Sequence, residues 1–201
     1  MRYGKICGPP WDEVFLIGGG PSLRGFDFEK LRGRTTLAIN DAVLHIPWAT
    51  ALFSLDVNWA RNRATVIQEF SGEKYLALPE DGPEIPGVVY LQRSRSPGLS
   101  TDPSRVCMGG NSGYGALNVA YLKGAKRIVL LGYDFRTIRG EKHWHAGYFW
   151  DRSSSMQYFA DWARNFDDAA VQLRKAGVEV LNASLESLIS AFPKIRLDQV
   201  P

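Results

Sequence analysis

The sequence predicts an α/β fold: a single Rossmann-like domain over residues 1–201, with a mostly parallel sheet and helices on both faces. Three observations carry this. Short β-branched apolar runs recur along the whole chain, helical patterns lie between several of them, and the first run breaks into a glycine-rich turn. Strands alternating with helices make βαβ units and hence a parallel sheet.

The strand-like runs are Val14–Ile17, Thr35–Ile39, Ala51–Leu55, Lys74–Leu78, Val88–Leu91, Arg127–Leu131 and Val178–Leu181. Each is short and bounded by turn formers or by polar residues. Between them, Val57–Phe70 reads as helix. So does Gly113–Lys123, with apolar residues at 116, 117, 119, 120 and 122 and Gly124 as its stop. The longest helix is expected at about Ser155–Ala176. There Met156, Phe159, Ala160, Ala163, Phe166, Ala170 and Leu173 share one face at 3.6-residue spacing. The serines at 153–155 supply its N-cap and Gly177 its C-terminal stop. Gln92–Asn111, carrying Arg93, Arg95 and Arg105, reads as a loop of lid or ligand-binding length.

Composition narrows the function classes. The chain has 201 residues, enough for one domain with a substantial core and short of two. Its 45% hydrophobic and 22% charged content is that of a soluble globular protein. A net charge of +3 is too small to indicate nucleic-acid binding. No stretch approaches the ~20 apolar residues of a membrane span, and the first residues, MRYGKICGPPWDE, lack the apolar core of a signal peptide. Cys7 and Cys107 lie far apart with no metal-ligand spacing, which suits a reducing cytoplasm.

In open parallel sheets, ligands bind beyond the carboxyl ends of the strands, so the residues after each run are the candidate site. After the first run come Gly18, Gly19, Gly20, Pro21 and Ser22. Glycines here leave room for a ligand against the main chain, and bared N–H groups before a helix suit a phosphate. The pattern is neither G-x-G-x-x-G, because Leu23 stands where the third glycine belongs, nor a P-loop. A plain tight turn would need only one glycine. Asn40 closes the second run, where its amide either reads a ligand or makes a local turn. Asp56, after the third, either binds ribose or metal or caps the following helix. Asp134, in LLGYDF, is either catalytic or pins a loop. Ser112 or Asn111 is a natural N-cap, and Ser112-Gly113 opens a helix whose N-terminus would also attract an anion.

Arg136, Arg139, Lys142 and Arg152 flank the run His143-Trp144-His145-Ala146-Gly147-Tyr148. Basic side chains at a ligand edge suit an anionic substrate or a leaving phosphate, although charge runs are commonly just solvated. His143 and His145 form an H-x-H pair that lacks a third metal ligand, so a general base is the better reading for one of them.

Taken in order, these segments resemble bacterial sialyltransferases of glycosyltransferase family 42. They are also similar to a Rossmann-like family of archaeal hydroxymethyl-dihydropterin diphosphokinases and flagellin-glycosylation proteins. The resemblance rests on Gly18-Gly19-Gly20-Pro21-Ser22-Leu23 with Asp27-Phe28 and Leu31, on Asn40, and on Ser112-Gly113 with its helix. It continues through Gly132-Tyr133-Asp134-Phe135, a histidine before the long helix, and Val178–Phe192, and is weakest over residues 57–110. It implies a transferase with a nucleotide-activated donor, most simply a CMP-sugar. His143 would be the general base and His145 its fallback, the glycine loop and Asn40 would hold the nucleotide, and Ser112 would contact the donor. No cofactor is implied for glycosyl transfer, and a glycan or other small molecule would be the acceptor. The sialyltransferases place two tyrosines after this G-x-D-F segment, whereas this chain has Arg136 and Arg139, which would stabilise a departing phosphate with more charge. The diphosphokinase alternative implies ATP and Mg²⁺, with Asp56 and Asp134 as ligands. A third reading is a nucleotide-binding module without catalysis, such as a phage-encoded accessory protein. Relatives of this kind often form homo-oligomers, and Trp150 and Trp162 would serve an interface or a monomer core equally well.

Overall fold

Short parallel strands, buried on both faces, organise the molecule. The computed structural model describes residues 3–145 and 156–200. It contains β1 (Glu13–Ile17), β2 (Thr36–Ile39), β3 (Ala51–Ser54), α1 (Val57–Asn62), α2 (Ala64–Glu69), β4 (Glu73–Leu76), β5 (Val89–Tyr90), β6 (Gln92–Ser94) and β7 (Arg105–Cys107). These are followed by α3 (Ser112–Leu122), β8 (Arg127–Leu131), α4 (Met156–Lys175) and β9 (Glu179–Asn182). Seven strands form one sheet in the order β5-β4-β3-β2-β1-β8-β9, and every neighbouring pair is parallel. The fold is α/β and Rossmann-like.

Both sheet faces are covered, so each strand is apolar on both sides, as parallel sheets require. Val14 and Leu16 of β1, with Leu130 of β8, face α3 and α4. Phe15, Ile17 and Leu131 face the other way, onto α1, α2 and the short 3₁₀ turns that carry Leu23, Leu31 and Val43. Glycine thins α3 against the sheet: a Cβ on Gly115 would lie 2.6 Å from the Phe53 ring. On α4, Ala163, Phe166, Ala170 and Leu173 are buried, as the periodicity predicts. Phe159 is half-buried, and Ala160 faces solvent. The serines at 153–155, Arg152, Trp150 and the run from Ala146 to Tyr148 lie outside the described residues, as do the side-chain surroundings of Met156.

All seven expected strands are present, Arg127–Leu131 with the expected ends and the others with ends shifted by at most two residues. Two expectations are corrected. The supposed loop Gln92–Asn111 contains a two-stranded parallel ladder, β6 with β7, in register Arg93↔Val106. Three polar-rich residues per strand leave no periodicity to read. The supposed helix Val57–Phe70 is two helices, because Arg63 leaves helical geometry at φ −117°, ψ 18°. There its guanidinium reaches the buried Asp41, with Nε 2.8 Å from Oδ1 and Nη2 3.0 Å from Oδ2. Burial would raise the Asp41 pKa, but hydrogen bonds from Arg63 and from the Trp59 indole outweigh it and hold the carboxylate ionised.

Phe166 is fully buried and meets the rings of Tyr114, Tyr133, Phe135 and Phe192 edge-on. Phe166→Ala should therefore cost about 3–5 kcal/mol in urea-denaturation stability. A cost under about 1 kcal/mol would mean that α4 is not anchored there.

Candidate functional site

The strand order reverses between β1 and β8, because β1 continues to β2 on one side while β8 continues to β9 on the other. A crevice opens at such a switch point. The β1 exit loop, Gly18–Leu23, and the β8 exit loop, Gly132–Phe135, meet there. Gly18 N–H donates to Leu131 O at 2.8 Å, and Gly20 N–H donates to Gly132 O at 2.8 Å. A Cβ on Gly18 would stand 2.8 Å from Gly132 O. One on Gly20 would stand 2.6 Å from the same oxygen and closer still to the Asp134 carboxylate. Neither glycine has a positive φ, so room rather than backbone freedom demands them. Gly132 does have one, φ +68°.

Ser22 completes the crossing. Its N–H and its hydroxyl both donate to Asp134 Oδ2, at 3.2 and 2.9 Å. Ser184 Oγ lies 3.0 Å from Ser22 Oγ and accepts from Tyr133 N–H. Asp134 is 1% exposed, and its Oδ1 has no hydrogen-bond partner among the described residues. Burial raises its pKa, against the lowering effect of the Ser22 donors. The expected cradle of bared N–H groups is thus largely closed, since Gly18, Gly20, Ser22 and Leu23 spend theirs inside the protein and Gly19 alone of the loop keeps an N–H without a partner among the described residues. Pro21 is buried as the first residue of a 3₁₀ turn.

Further bare donors come from α3. Asn111 is its N-cap, accepting from Tyr114 N–H at 2.8 Å, and Ser112 Oγ accepts from Leu55 N–H. The Ser112 and Gly113 N–H groups are left without a hydrogen-bond partner among the described residues. They face a cleft of about 160 Å³ whose floor is Gly18, Gly19 and Gly20. Its polar lining comprises Asn40, Asn111, Ser112, Arg136, Lys142 and His143, and its apolar lining includes Ile39, Tyr133, Phe135, Phe159 and Trp162. No aspartate or glutamate lines it among the described residues. Asn40 holds a left-handed backbone, φ 53°, and its Oδ1 is buried without a partner among the described residues. Phe159 and Trp162 belong to the cleft although neither fold rules nor motifs single them out as ligand contacts, and Asn111, read from the sequence only as a helix cap, lines it too.

The histidine loop lies on the glycine loop. Trp144 N–H donates to Gly19 O at 3.1 Å, and its indole Nε1 donates to Gly18 O at 2.9 Å. Phe28 and His45 flank the indole, with centroids at 4.9 and 4.5 Å. This anchor brings His143 Nδ1 to 3.0 Å from where a Gly19 Cβ would be. His143 lines the cleft and His145 does not. His145 stacks behind His143 at 5.1 Å, and His45 completes a cluster containing every histidine of the chain. Burial, reinforced by the charge of His143, pulls the His145 pKa down to about 4. At neutral pH His145 is therefore a weak base.

The remaining expected residues fall elsewhere. Asp56 caps α1, its Oδ1 accepting from Asn58 and Trp59 N–H at 2.8 and 3.0 Å. Asp134 lies behind the glycine loop. Asp56 and Asp134, the carboxylates that the ATP-dependent reading assigns to Mg²⁺, are both absent from the lining of the cleft among the described residues. Arg136 lines the cleft, half-exposed and 3.8 Å from Glu186. Arg139 stands exposed at the tip of the Ile138–Glu141 turn with φ 52°, outside the cleft. No helix of the described residues is long and apolar enough to cross a membrane. Comparison with protein-family models, curated proteins and solved structures returned no match.

Two titrations follow from this geometry. Folding raises the Asp134 pKa, so its ionisation disfavours the folded state, and stability falls as pH rises through the native value. Asp134→Asn should remove that slope, whereas Asp134→Ala, which strands the Ser22 donors, should cost about 1–3 kcal/mol. A pH–stability profile unchanged by Asp134→Asn would refute the assignment. Folding lowers the His145 pKa, so its contribution is present above pH ~6.5 and lost as pH falls towards about 4. NMR titration of the imidazole signals should find one histidine titrating below pH ~5 that is missing from His145→Asn.

Proposed function

We propose that the cleft binds a nucleotide-linked donor and transfers its activated group to an acceptor hydroxyl, most simply as a CMP-sugar glycosyltransferase of the family 42 kind. The observation that carries this reading is the cleft's charge pattern: bare helix N–H groups, Arg136, Lys142 and His143, with no carboxylate among the described lining residues. Phosphate oxygens fit the α3 N-terminus, where two unspent donors and the helix dipole coincide. Aromatic rings on the same wall give a base a surface to stack on. Asn40 Oδ1, an unsatisfied acceptor, fits a ribose hydroxyl or a base amino group. The order of the sequence motifs supports the same family.

In this mechanism His143 takes the proton from the acceptor hydroxyl as its oxygen attacks the transferred carbon. The bond from that carbon to the phosphate oxygen breaks, and the α3 N–H groups, Lys142 and Arg136 neutralise the charge left on the nucleotide. Transfer from Mg²⁺-ATP is less well supported, because its metal needs carboxylates that the described lining lacks. A binding module without catalysis would have no use for a histidine held over the cleft floor.

CMP at a hundred times its dissociation constant should stabilise the fold by about 2.7 kcal/mol, read as a thermal shift that survives EDTA. His143→Ala should keep that shift and lose roughly 10²–10⁴-fold in transfer rate. A shift seen only with ATP and Mg²⁺ would overturn the glycosyl reading in favour of the kinase, and no shift with any nucleotide would overturn both.

A further inference from the structure

Helix α4 and the segment that leads into α3 form two walls of the cleft. The helix contributes Phe159 and Trp162, and the segment contributes Asn111, Ser112 and Gly113. That segment arrives through Gly109 and Gly110, both left-handed, at φ 51° and 82°. Rings close on each of them. A Cβ on Gly109 would lie 2.2 Å from the Tyr114 ring, and one on Gly110 would lie 2.5 Å from the Trp162 indole. Successive glycines have more backbone freedom than any other residues, so a turn made of them is only as well defined as the contacts that hold it.

The polar hold is on one carbonyl oxygen. Gly109 O accepts from Asn111 Nδ2 at 3.1 Å and from Asn165 Nδ2, on α4, at 2.9 Å, which uses both of its lone pairs. The other end of the Asn111 amide is the cap of α3, where Oδ1 accepts from Tyr114 N–H. One amide therefore ties Gly109 O to the first turn of α3, and a second ties it to α4. Asn165 stands one turn beyond Trp162 on the same side of α4. Two turns further on, Gln172 grips the segment upstream, accepting from Leu99 N–H and donating to Leu99 O. Asn165 is exposed and does not line the cleft, so neither burial nor ligand contact accounts for an amide at this position.

Resting on the reading of the cleft as a phosphate-binding site, we infer that Asn165 is a positioning residue. By holding the Gly109 carbonyl together with Asn111 it fixes the cap of α3, and so the direction in which the Ser112 and Gly113 N–H groups point. Without that bond the Gly109–Gly110 peptide is free to rotate, and the cap turns with it. A hydrogen bond to phosphate weakens steeply as its donor swings off line, whereas the nucleoside part of a ligand makes no use of these donors.

The test is ¹H–¹⁵N NMR on the full chain, titrated separately with inorganic phosphate, CMP and cytidine. Phosphate should shift the Ser112 and Gly113 amide signals. Asn165→Leu removes the donor without adding charge, and Asn165→Ala removes it without adding bulk. Each should weaken phosphate and CMP about fivefold and leave cytidine unchanged. Gln172→Leu cuts the same segment from α4 upstream and should leave all three affinities unchanged, which separates aiming from general loosening. The inference is overturned if phosphate leaves the Ser112 and Gly113 signals of the native protein unmoved, or if its affinity survives both Asn165 substitutions. It is equally overturned if cytidine weakens in step with phosphate, or if Gln172→Leu has the same effect. Phosphate binding without CMP binding would defeat the transferase reading and leave the role of Asn165 standing.

Discussion

Everything at the carboxyl edge of this sheet depends on the crossing of two backbone loops, one from β1 and one from β8. Gly18 and Gly20 lie against Gly132 and Asp134 with no space for a methyl group, and main-chain hydrogen bonds to Leu131 and Gly132 fix their spacing. The Ser184–Ser22–Asp134 chain then ties both loops to the segment after β9. A buried carboxylate is expensive, and two donors on one oxygen offset only part of its desolvation. What that cost secures is a rigid floor at the switch point.

The floor sets the electrostatics above it. Gly18, Gly20 and Ser22 spend their N–H groups on the crossing, so beside Gly19 N–H the donors left for an anion are those of α3, whose dipole reinforces them. The negative charge at this end of the sheet is held away from the cleft. Asp134 lies behind the glycines, Asp56 is committed to its helix cap, and Asp41 is matched by Arg63 and Trp59. Arg136, Lys142 and His143 line the cleft. Trp144, gripped by Phe28 and His45, lays the histidine loop across this floor, so the crossing also determines where His143 stands.

The seven strands of the main sheet were legible because burial on both faces requires continuous apolar runs, and those survive as local composition. α4 was legible because one of its stripes is buried. The β6–β7 ladder was hidden, since three-residue strands carry no period. The break at Arg63 was hidden too, because its cause is an aspartate 22 residues away. In the site, Asn40 follows from the rule that ligands sit after strand ends, Ser112 and Gly113 from the start of a helix, and Arg136 and His143 from the basic, histidine-bearing run. Lys142 lines the same cleft from the basic run the sequence displays. Asp56 and Asp134 satisfied that rule equally well. Only contacts distant in sequence show that one caps a helix and the other supports a loop.

The sequence by itself determined the fold class, the strands of the main sheet and the loops that form the site, because periodicity and turn chemistry are local. The tertiary structure decided which glycines are steric necessities, which carboxylates are withdrawn from the cleft and which histidine reaches it. Those outcomes depend on what another strand's exit loop or a distant ring places within a few ångströms, and spacing along a single chain does not encode that.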